Sequence, residues 1–275
     1  MVNAKRISPM KIGVIQLQSV LDPLVNLATI KKFMVEAKHQ NAVAVFLPEA
    51  FYSMSDGTRP TPHLVDGLNE HYEAIRSLAK DSSLYILGGS AATNVDGKIL
   101  NRSYNFDPEG KALAIYDKMN LFSCDLSKHP SNTIIDEGRV YTKGNKPQMI
   151  DVEGYQIGLS ICFDLRFPEI FRSYSSQGAN VLSISSAFTV PTGKAHWHTL
   201  VRARAIENQS YVIASAQWGK HNEKLSTFGH SLIVDPWGEV LADAGEGEKI
   251  IFGEFSLERI QSVRERLDVL RDPKL

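Results

Sequence analysis

Three observations place the chain in the α/β class. Strand-like and helix-like stretches alternate from end to end, the short run Ala42-Val-Ala-Val-Phe-Leu47 is apolar at every position, and turn signals at Asp96-Gly97 and Asp107-Pro-Glu-Gly110 insert hairpins into the alternation. A short run that is apolar throughout is what a strand buried on both faces requires. Helical crossovers join parallel strands and tight turns join antiparallel ones, so the expected sheet is mixed. No low-complexity linker or break in composition divides the 275 residues, and one domain spanning 1–275 is expected.

The elements follow in order. Residues 11–18 (KIGVIQLQ) read as the first strand and 24–39 as an amphipathic helix, followed by the apolar strand 42–47. Residues 68–80 are expected to be helical and 84–89 to return to strand. Asn94-Val-Asp96-Gly97 turns the chain into the strand 98–106, because Asp-Gly tolerates the positive φ of a two-residue hairpin loop. The second turn leads into a strand over 111–117. Residues 119–147 show neither period and are expected to be irregular. Beyond them come the strand 155–161, a helix opened by Pro168-Glu169, and the strand 181–185. A helix over 195–208 and strands over 211–217, 231–234 and 239–242 complete the pattern.

Composition narrows the function classes. Hydrophobic residues make up 43% and charged residues 22%, ordinary values for a globular chain. A formal net charge of −1 offers no electrostatic reason to bind nucleic acid or an anionic membrane. The N-terminal residues lack the apolar run of a secretory signal, and no stretch reaches the length of a membrane span. Two cysteines support neither a disulfide framework nor a cysteine-based zinc site, and they fit a reducing compartment. A cytoplasmic protein is expected.

The stretch Gly158-Leu-Ser-Ile-Cys162-Phe-Asp-Leu-Arg-Phe-Pro168-Glu169 carries the strongest chemical signal. It places a thiol at the carboxyl end of an apolar strand, just before a helix start. Unpaired N–H groups and a positive helix terminus would lower the thiol pKa and offer donors to an oxyanion. A lone cysteine ending an apolar strand is otherwise ordinary core, so its role depends on partners. Cys124 has no comparable context. Glu49 follows the strand that ends at Leu47-Pro48, Lys118 closes the strand Leu113-Ala-Ile-Tyr-Asp117, and Glu137 lies in the irregular segment. Carboxyl ends of strands are where sites form in open α/β sheets, so Glu49, Lys118 and Cys162 could converge. A carboxylate can accept the thiol proton, and a lysine beside it offsets their repulsion and can hold an oxyanion. Taken singly, each charge could equally be a solvated surface group.

Phe46-Leu-Pro-Glu49, Tyr116-Asp-Lys118-Met-Asn-Leu-Phe122 and the cysteine stretch, in that order, are similar to the carbon–nitrogen hydrolase (nitrilase) superfamily. The resemblance runs from about residue 11 to 263. It implies a four-layer α-β-β-α sandwich of two mixed sheets, a Glu49–Lys118–Cys162 catalytic triad, and Glu137 as the auxiliary glutamate. It further implies an oxyanion donor in the Phe163 backbone N–H, a homodimer, and no metal or organic cofactor. The stretches Ala187-Phe-Thr-Val-Pro-Thr-Gly-Lys-Ala-His-Trp197, Arg202-Ala-Arg-Ala-Ile-Glu-Asn208 and Gly229-His-Ser-Leu-Ile-Val-Asp-Pro-Trp-Gly-Glu-Val240 resemble the branch of amidases that hydrolyse deaminated glutathione. The implied partner is a small primary amide, released as acid and ammonia through a thioester. An ω-amidase, an N-carbamoyl amide hydrolase or a nitrilase would use the same residues. Asn120 stands where related amidases usually carry histidine, the text of 123–135 departs from theirs, and Asp268 stands where proline is frequent; the first two bear on substrate choice and the last on dimer contacts.

Other motifs fail or stay open. Thr192-Gly193-Lys194 lacks the glycine of a phosphate loop, since Phe188 occupies that position. His196 and His198, two apart on a helix, diverge, and no metal site is expected from them. His196 and Trp197 read as packing residues, and Arg202 and Arg204 as ion-pair partners within the fold. Arg166 has two readings: a salt bridge to Glu169 or another helix-start carboxylate, or a clamp for a substrate carboxylate four residues past the thiol.

Overall fold

In the computed structural model, which describes residues 8–127, 133–267 and 269–270, the first strand already shows how the layers divide. β1 (Met10–Gln16) points Met10, Ile12 and Val14 to one side and Ile15 to the other, and both sets are buried. α1 (Pro23–His39) is opened by Pro23 and capped by the Asp22 side chain on the Leu24 N–H, and β2 (Ala44–Phe46) follows. β3 (Val65–Asp66) and α2 (Glu70–Ser82) precede β4 (Tyr85–Leu87). The Asp96-Gly97 turn, with φ of +50° and +77°, joins β5 (Ser90–Val95) to β6 (Lys98–Ser103) as an antiparallel hairpin. Then come β7 (Tyr116–Asp117), β8 (Ser123–Leu126), β9 (Thr133–Asp136), β10 (Met149–Val152) and β11 (Tyr155–Ile161). α3 (Pro168–Ser176), β12 (Val181–Ser186), α4 (Val190–Asn208) and β13 (Tyr211–Ala216) alternate after it. The chain continues through β14 (Trp218–Lys220), β15 (Ser226–Phe228), β16 (Leu232–Val234), β17 (Val240–Asp243), β18 (Lys249–Phe255) and α5 (Leu257–Arg266).

Two mixed sheets stack face to face. The first has the order β18-β1-β2-β4, parallel from β1 to β4 and antiparallel at β18, and an antiparallel bridge between Ile86 and Phe106 sets the β5–β6 hairpin beside it. The second has the order β10-β11-β12-β13-β16-β17, with a parallel centre and antiparallel edges. Ile12, Val14 and Phe46 share a buried cluster with Leu159, Ile184 and Ile213 of the second sheet. On the other side, Ile15, Val45 and Ile86 pack against Leu27, Ile30 and Met34 of α1 and Ile75 and Leu78 of α2. α3 and α4 cover the second sheet with Phe171, Tyr174, Trp197 and Val201. The layers thus run α, β, β, α. Contact is close enough that a Cβ at Gly158 on β11 would lie 2.5 Å from the Tyr174 ring, so any larger residue would force α3 outward.

Several elements differ from expectation. The strand over 111–117 shrinks to Tyr116–Asp117, because the Asn105 side chain takes the Ala114 carbonyl at 2.8 Å and stands in for a ladder partner. α4 begins at Val190 rather than 195; Pro191 falls in its first turn, and Gly193 belongs to the helix because the Phe228 side chain would sit 2.3 Å from a Cβ there. The segment 119–147 contains the β8–β9 hairpin and a turn of 3-10 helix over Glu137–Arg139 rather than irregular chain. β18 and α5 were not anticipated. Residues 1–7, 128–132, Asp268 and 271–275 lie outside the described residues.

Candidate active site

The carboxyl ends of β2, β7 and β11 meet at one end of the stacked sheets. Two residues beyond Leu47, Glu49 is 4% exposed, and Lys118, the residue after β7, is 1% exposed. Lys118 Nζ donates to Glu49 Oε1 at 2.8 Å and to Glu137 Oε1 and Oε2 at 2.8 and 2.7 Å. Asn101 Nδ2 also donates to Glu49 Oε1 at 2.8 Å, and Gln217 Nε2 holds the Glu49 carbonyl at 2.9 Å. Glu137 is delivered by the β8–β9 hairpin: its N–H donates to the Phe122 carbonyl, and its Oε2 accepts from the Phe122 N–H at 2.8 Å. Burial alone would lower the Lys118 pKa, but the Glu137 and Glu49 carboxylates outweigh it and hold the ammonium well above its usual range. Burial raises the Glu137 pKa, and the bonds from Lys118 only partly offset it.

Cys162 directly follows β11 with φ of +49°, a left-handed conformation that a non-glycine residue adopts only under local constraint. It is buried, and the Ala187 backbone N–H favours its thiolate form. One expectation is overturned here. The thiol pKa is raised, not lowered, first by burial and then by the Glu49 carboxylate, with Lys118 opposing. The physical reason is geometric. The chain at Cys162 forms a turn of 3-10 helix over Cys162–Arg166, and α3 starts only at Pro168, so the cysteine does not open that helix. Two carboxylates against one ammonium leave a negative surplus beside the sulfur, which favours the neutral thiol.

Above Cys162 opens a cleft lined by Phe122, Phe163, Phe188, Thr189 and Thr192. Arg166 lines it as well. Its guanidinium lies 5.3 Å from the Phe188 ring centroid and 5.8 Å from that of Phe163, and Nη2 meets His196 Nδ1 at 3.3 Å. It forms no ion pair with Glu169 or another helix-start carboxylate among the described residues, so the salt-bridge reading of Arg166 fails. Phe163 is the second residue of the 3-10 turn, where its N–H has no carbonyl partner within that turn.

Some contributors were invisible in the sequence reading. Asp164 is fully buried and accepts from the Tyr116 hydroxyl at 2.7 Å, the Ile161 N–H at 2.9 Å, and the Asn120 N–H and amide at 2.9 and 3.0 Å. It ties the cysteine turn to the lysine strand. Burial raises its pKa against those bonds. Asn101 on β6 and Gln217 just past β13 reach Glu49 across 52 and 168 residues of sequence, and nothing in their local pattern marks them. Tyr141 could have been suspected from its place four residues past Glu137; burial, Glu137 and Glu49 all raise its pKa. Of the two helix arginines, Arg204 pairs with Glu207 at 2.8 Å and donates to the Leu165 carbonyl, whereas Arg202 donates to the Gly238 carbonyl and has no ion-pair partner among the described residues. Trp197 is packed as expected, with Nε1 on the His230 carbonyl.

A four-layer sandwich with a buried Glu–Lys–Glu group and a cysteine on a strand end defines a class, and the profile of the carbon-nitrogen hydrolase family matches residues 11–265. The chain belongs to the carbon-nitrogen hydrolase family, whose members act as hydrolases on carbon–nitrogen bonds. Among its relatives, the deaminated glutathione amidase of Dictyostelium discoideum is 39% identical over 256 residues, covering 89% of this chain and 87% of its own. The omega-amidase NIT2 of Homo sapiens is 33% identical over 265 residues, covering 96% and 95%. The crystal structure of Saccharomyces cerevisiae Nit3, described as a member of branch 10 of the nitrilase superfamily, superposes with a TM-score of 0.86 at 30% identity, covering 99% of this chain and 100% of that one.

Proposed function

We propose that this protein is a cysteine-dependent amidase that hydrolyses a small primary amide bearing a carboxylate, of the deaminated glutathione kind, to acid and ammonia. The observation that carries the chemistry is Lys118 bridging two buried carboxylates whose charges act on Cys162, the thiol that lines the cleft. Glu49 Oε1 already accepts from Lys118 and Asn101, which leaves Oε2 for the thiol proton. As that proton moves, the sulfur attacks the amide carbon, and the Lys118 ammonium and Phe163 N–H receive the oxyanion. One Lys118 hydrogen shared between the two Glu137 oxygens frees another for this task. Because the thiol pKa is raised, proton transfer and attack belong together, and no standing thiolate is required. Glu49 then returns the proton to the departing nitrogen, the C–N bond breaks, and a thioester with Cys162 remains. Water loses a proton to Glu49 and attacks the thioester, with Glu137 fixing Lys118; the C–S bond breaks and the proton returns to sulfur.

The substrate class rests on the rim. Arg166 and His196 offer a carboxylate a cationic anchor, and three phenylalanines enclose the linking carbons. The 39% identity to a deaminated glutathione amidase supports that substrate, and the 33% identity to an omega-amidase keeps 2-oxoglutaramate beside it. We read the protein as a single-domain homodimer in the cytoplasm; the free thiols of Cys124 and Cys162 fit a reducing compartment. The test is ammonia release from deaminated glutathione, 2-oxoglutaramate, succinamate, a carbamoyl amino acid and a simple nitrile, with Cys162→Ala as the blank. Turnover of deaminated glutathione that depends on Cys162 is expected. Wild-type turnover by Cys162→Ala would sink the mechanism; activity confined to the nitrile or the carbamoyl compound would discard the substrate class.

A further inference from the structure

Away from the cleft, three elements bring together side chains that local spacing does not connect. His198 lies on α4, His230 in the loop entering β16, and Asp243 closes β17. His198 Nε2 is 3.0 Å from Asp243 Oδ2, and His230 Nδ1 is 3.0 Å from Asp243 Oδ1. One nitrogen of each imidazole and a carboxylate oxygen all lie within 4.8 Å of one another. We propose that His198, His230 and Asp243 form a three-ligand site for one divalent transition-metal ion of the zinc type.

The donor set selects the class of ion. Two imidazoles with one carboxylate suit zinc, copper or nickel, whereas magnesium and calcium prefer oxygen alone. Bonds of about 2.0–2.2 Å to a tetrahedral zinc put ligand atoms roughly 3.3 Å apart. The nitrogen–oxygen separations of 3.0 Å need only open by a few tenths of an ångström. Side-chain exposures of 39% for His198, 25% for His230 and 33% for Asp243 leave room for water in the remaining position.

The ligands are held in advance. His230 has φ of +55°, its N–H donates to the Gly245 carbonyl, and its own carbonyl accepts from Trp197 Nε1 at 2.6 Å. Its ring stacks on Phe228 at 4.5 Å with a 21° tilt. The Gly245 N–H donates to Asp243 Oδ1 at 2.7 Å, the kind of outer contact that orients a ligating carboxylate. A neutral imidazole that shifts its hydrogen to the far nitrogen exposes the near one to the ion, with no proton lost. An ion there would pin α4, which also carries Thr192 of the cleft and His196 beside Arg166, to β17.

The test is calorimetric titration of the full chain with zinc ions alone, repeated after both cysteines are alkylated so that thiol binding is subtracted. One equivalent per chain is expected, with a higher melting temperature that magnesium does not reproduce. His198→Gln and Asp243→Asn should each weaken uptake at least about tenfold. His198→Gln keeps a donor to Asp243, and its melting temperature without metal should match the parent, which separates loss of a ligand from loss of fold. No uptake by the alkylated parent, or uptake unchanged in both variants, would show that the cluster is only hydrogen-bonded and overturn the proposal.

Discussion

In the buried floor group of Glu49, Lys118 and Glu137, Lys118 and Glu49 are 1% and 4% exposed, and each is held by two or more side-chain or backbone partners from different parts of the chain. At the rim, Arg166 has a single 3.3 Å contact to the exposed His196 and two aromatic faces. The two regions face different physical demands. A buried charge is tolerable only when its partner is present, so the floor group stands or falls together. Rim contacts are half-solvated and nearly independent, so they can change without unfolding anything. This is why chemistry and substrate choice can be read from different residues.

The division would break if floor residues proved dispensable. Glu49→Gln and Lys118→Met should each reduce ammonia release by about 10⁴-fold or more on every amide, with the double variant little worse than either single one. Additive losses, or residual turnover within tenfold of the parent, would mean the two act separately. Stability sharpens the same point. Lys118→Ala leaves Glu49 and Glu137 facing each other without a cation and should cost about 3–5 kcal/mol in urea unfolding. Adding Glu137→Gln should recover part of that loss; no recovery would locate the damage in packing.

Rim substitutions should divide activity by substrate. Arg166→Ala is expected to raise KM for a carboxylate-bearing amide by about 10–100-fold, as loss of a charge-assisted pair does, while kcat and the KM for a neutral amide stay within a few-fold. An equal loss on both would move Arg166 from the rim to the floor.

Local apolar patterning put Glu49, Lys118 and Cys162 each at or just past a strand end, but it was the resemblance to the carbon–nitrogen hydrolase superfamily that grouped them. The hairpin that carries Glu137 was not legible. Its strands, Ser123–Leu126 and Thr133–Asp136, are short and set in polar text, although Thr133-Ile-Ile135 is β-branched and hinted at strand. β18 escaped because it pairs with β1 across more than 230 residues, a partnership no local period encodes. Asp164, Asn101 and Gln217 were missed for a related reason. A buried polar residue is recognised by its partners, and those lie on other elements. The thiol pKa was misjudged because the reading placed a helix terminus at Cys162, whereas the sign is set by burial and by Glu49.

The smallest effect tests how the floor is braced from behind. His221 is buried between the Ser19 carbonyl at 2.8 Å and the Thr227 hydroxyl at 2.7 Å. A carbonyl only accepts, so Nδ1 carries the hydrogen and Nε2 accepts from Thr227. Gln217 donates to both the Ser19 hydroxyl and the Glu49 carbonyl, which links this histidine to the floor. Burial lowers the His221 pKa, with the Ser19 bond opposing. The sign follows from proton counting. Below an unfolded-state pKa of about 6.5 the unfolded chain takes up a proton that the native histidine refuses, so stability falls as pH drops. The slope from this one group is at most about 1.4 kcal/mol per pH unit, and it ends once pH passes below the folded-state pKa. His221→Gln should therefore flatten the fall in urea-unfolding stability between pH 7 and 5 while lowering stability at pH 7 itself. An unchanged slope would show that His221 titrates freely and that the brace behind Glu49 does not depend on its neutral form.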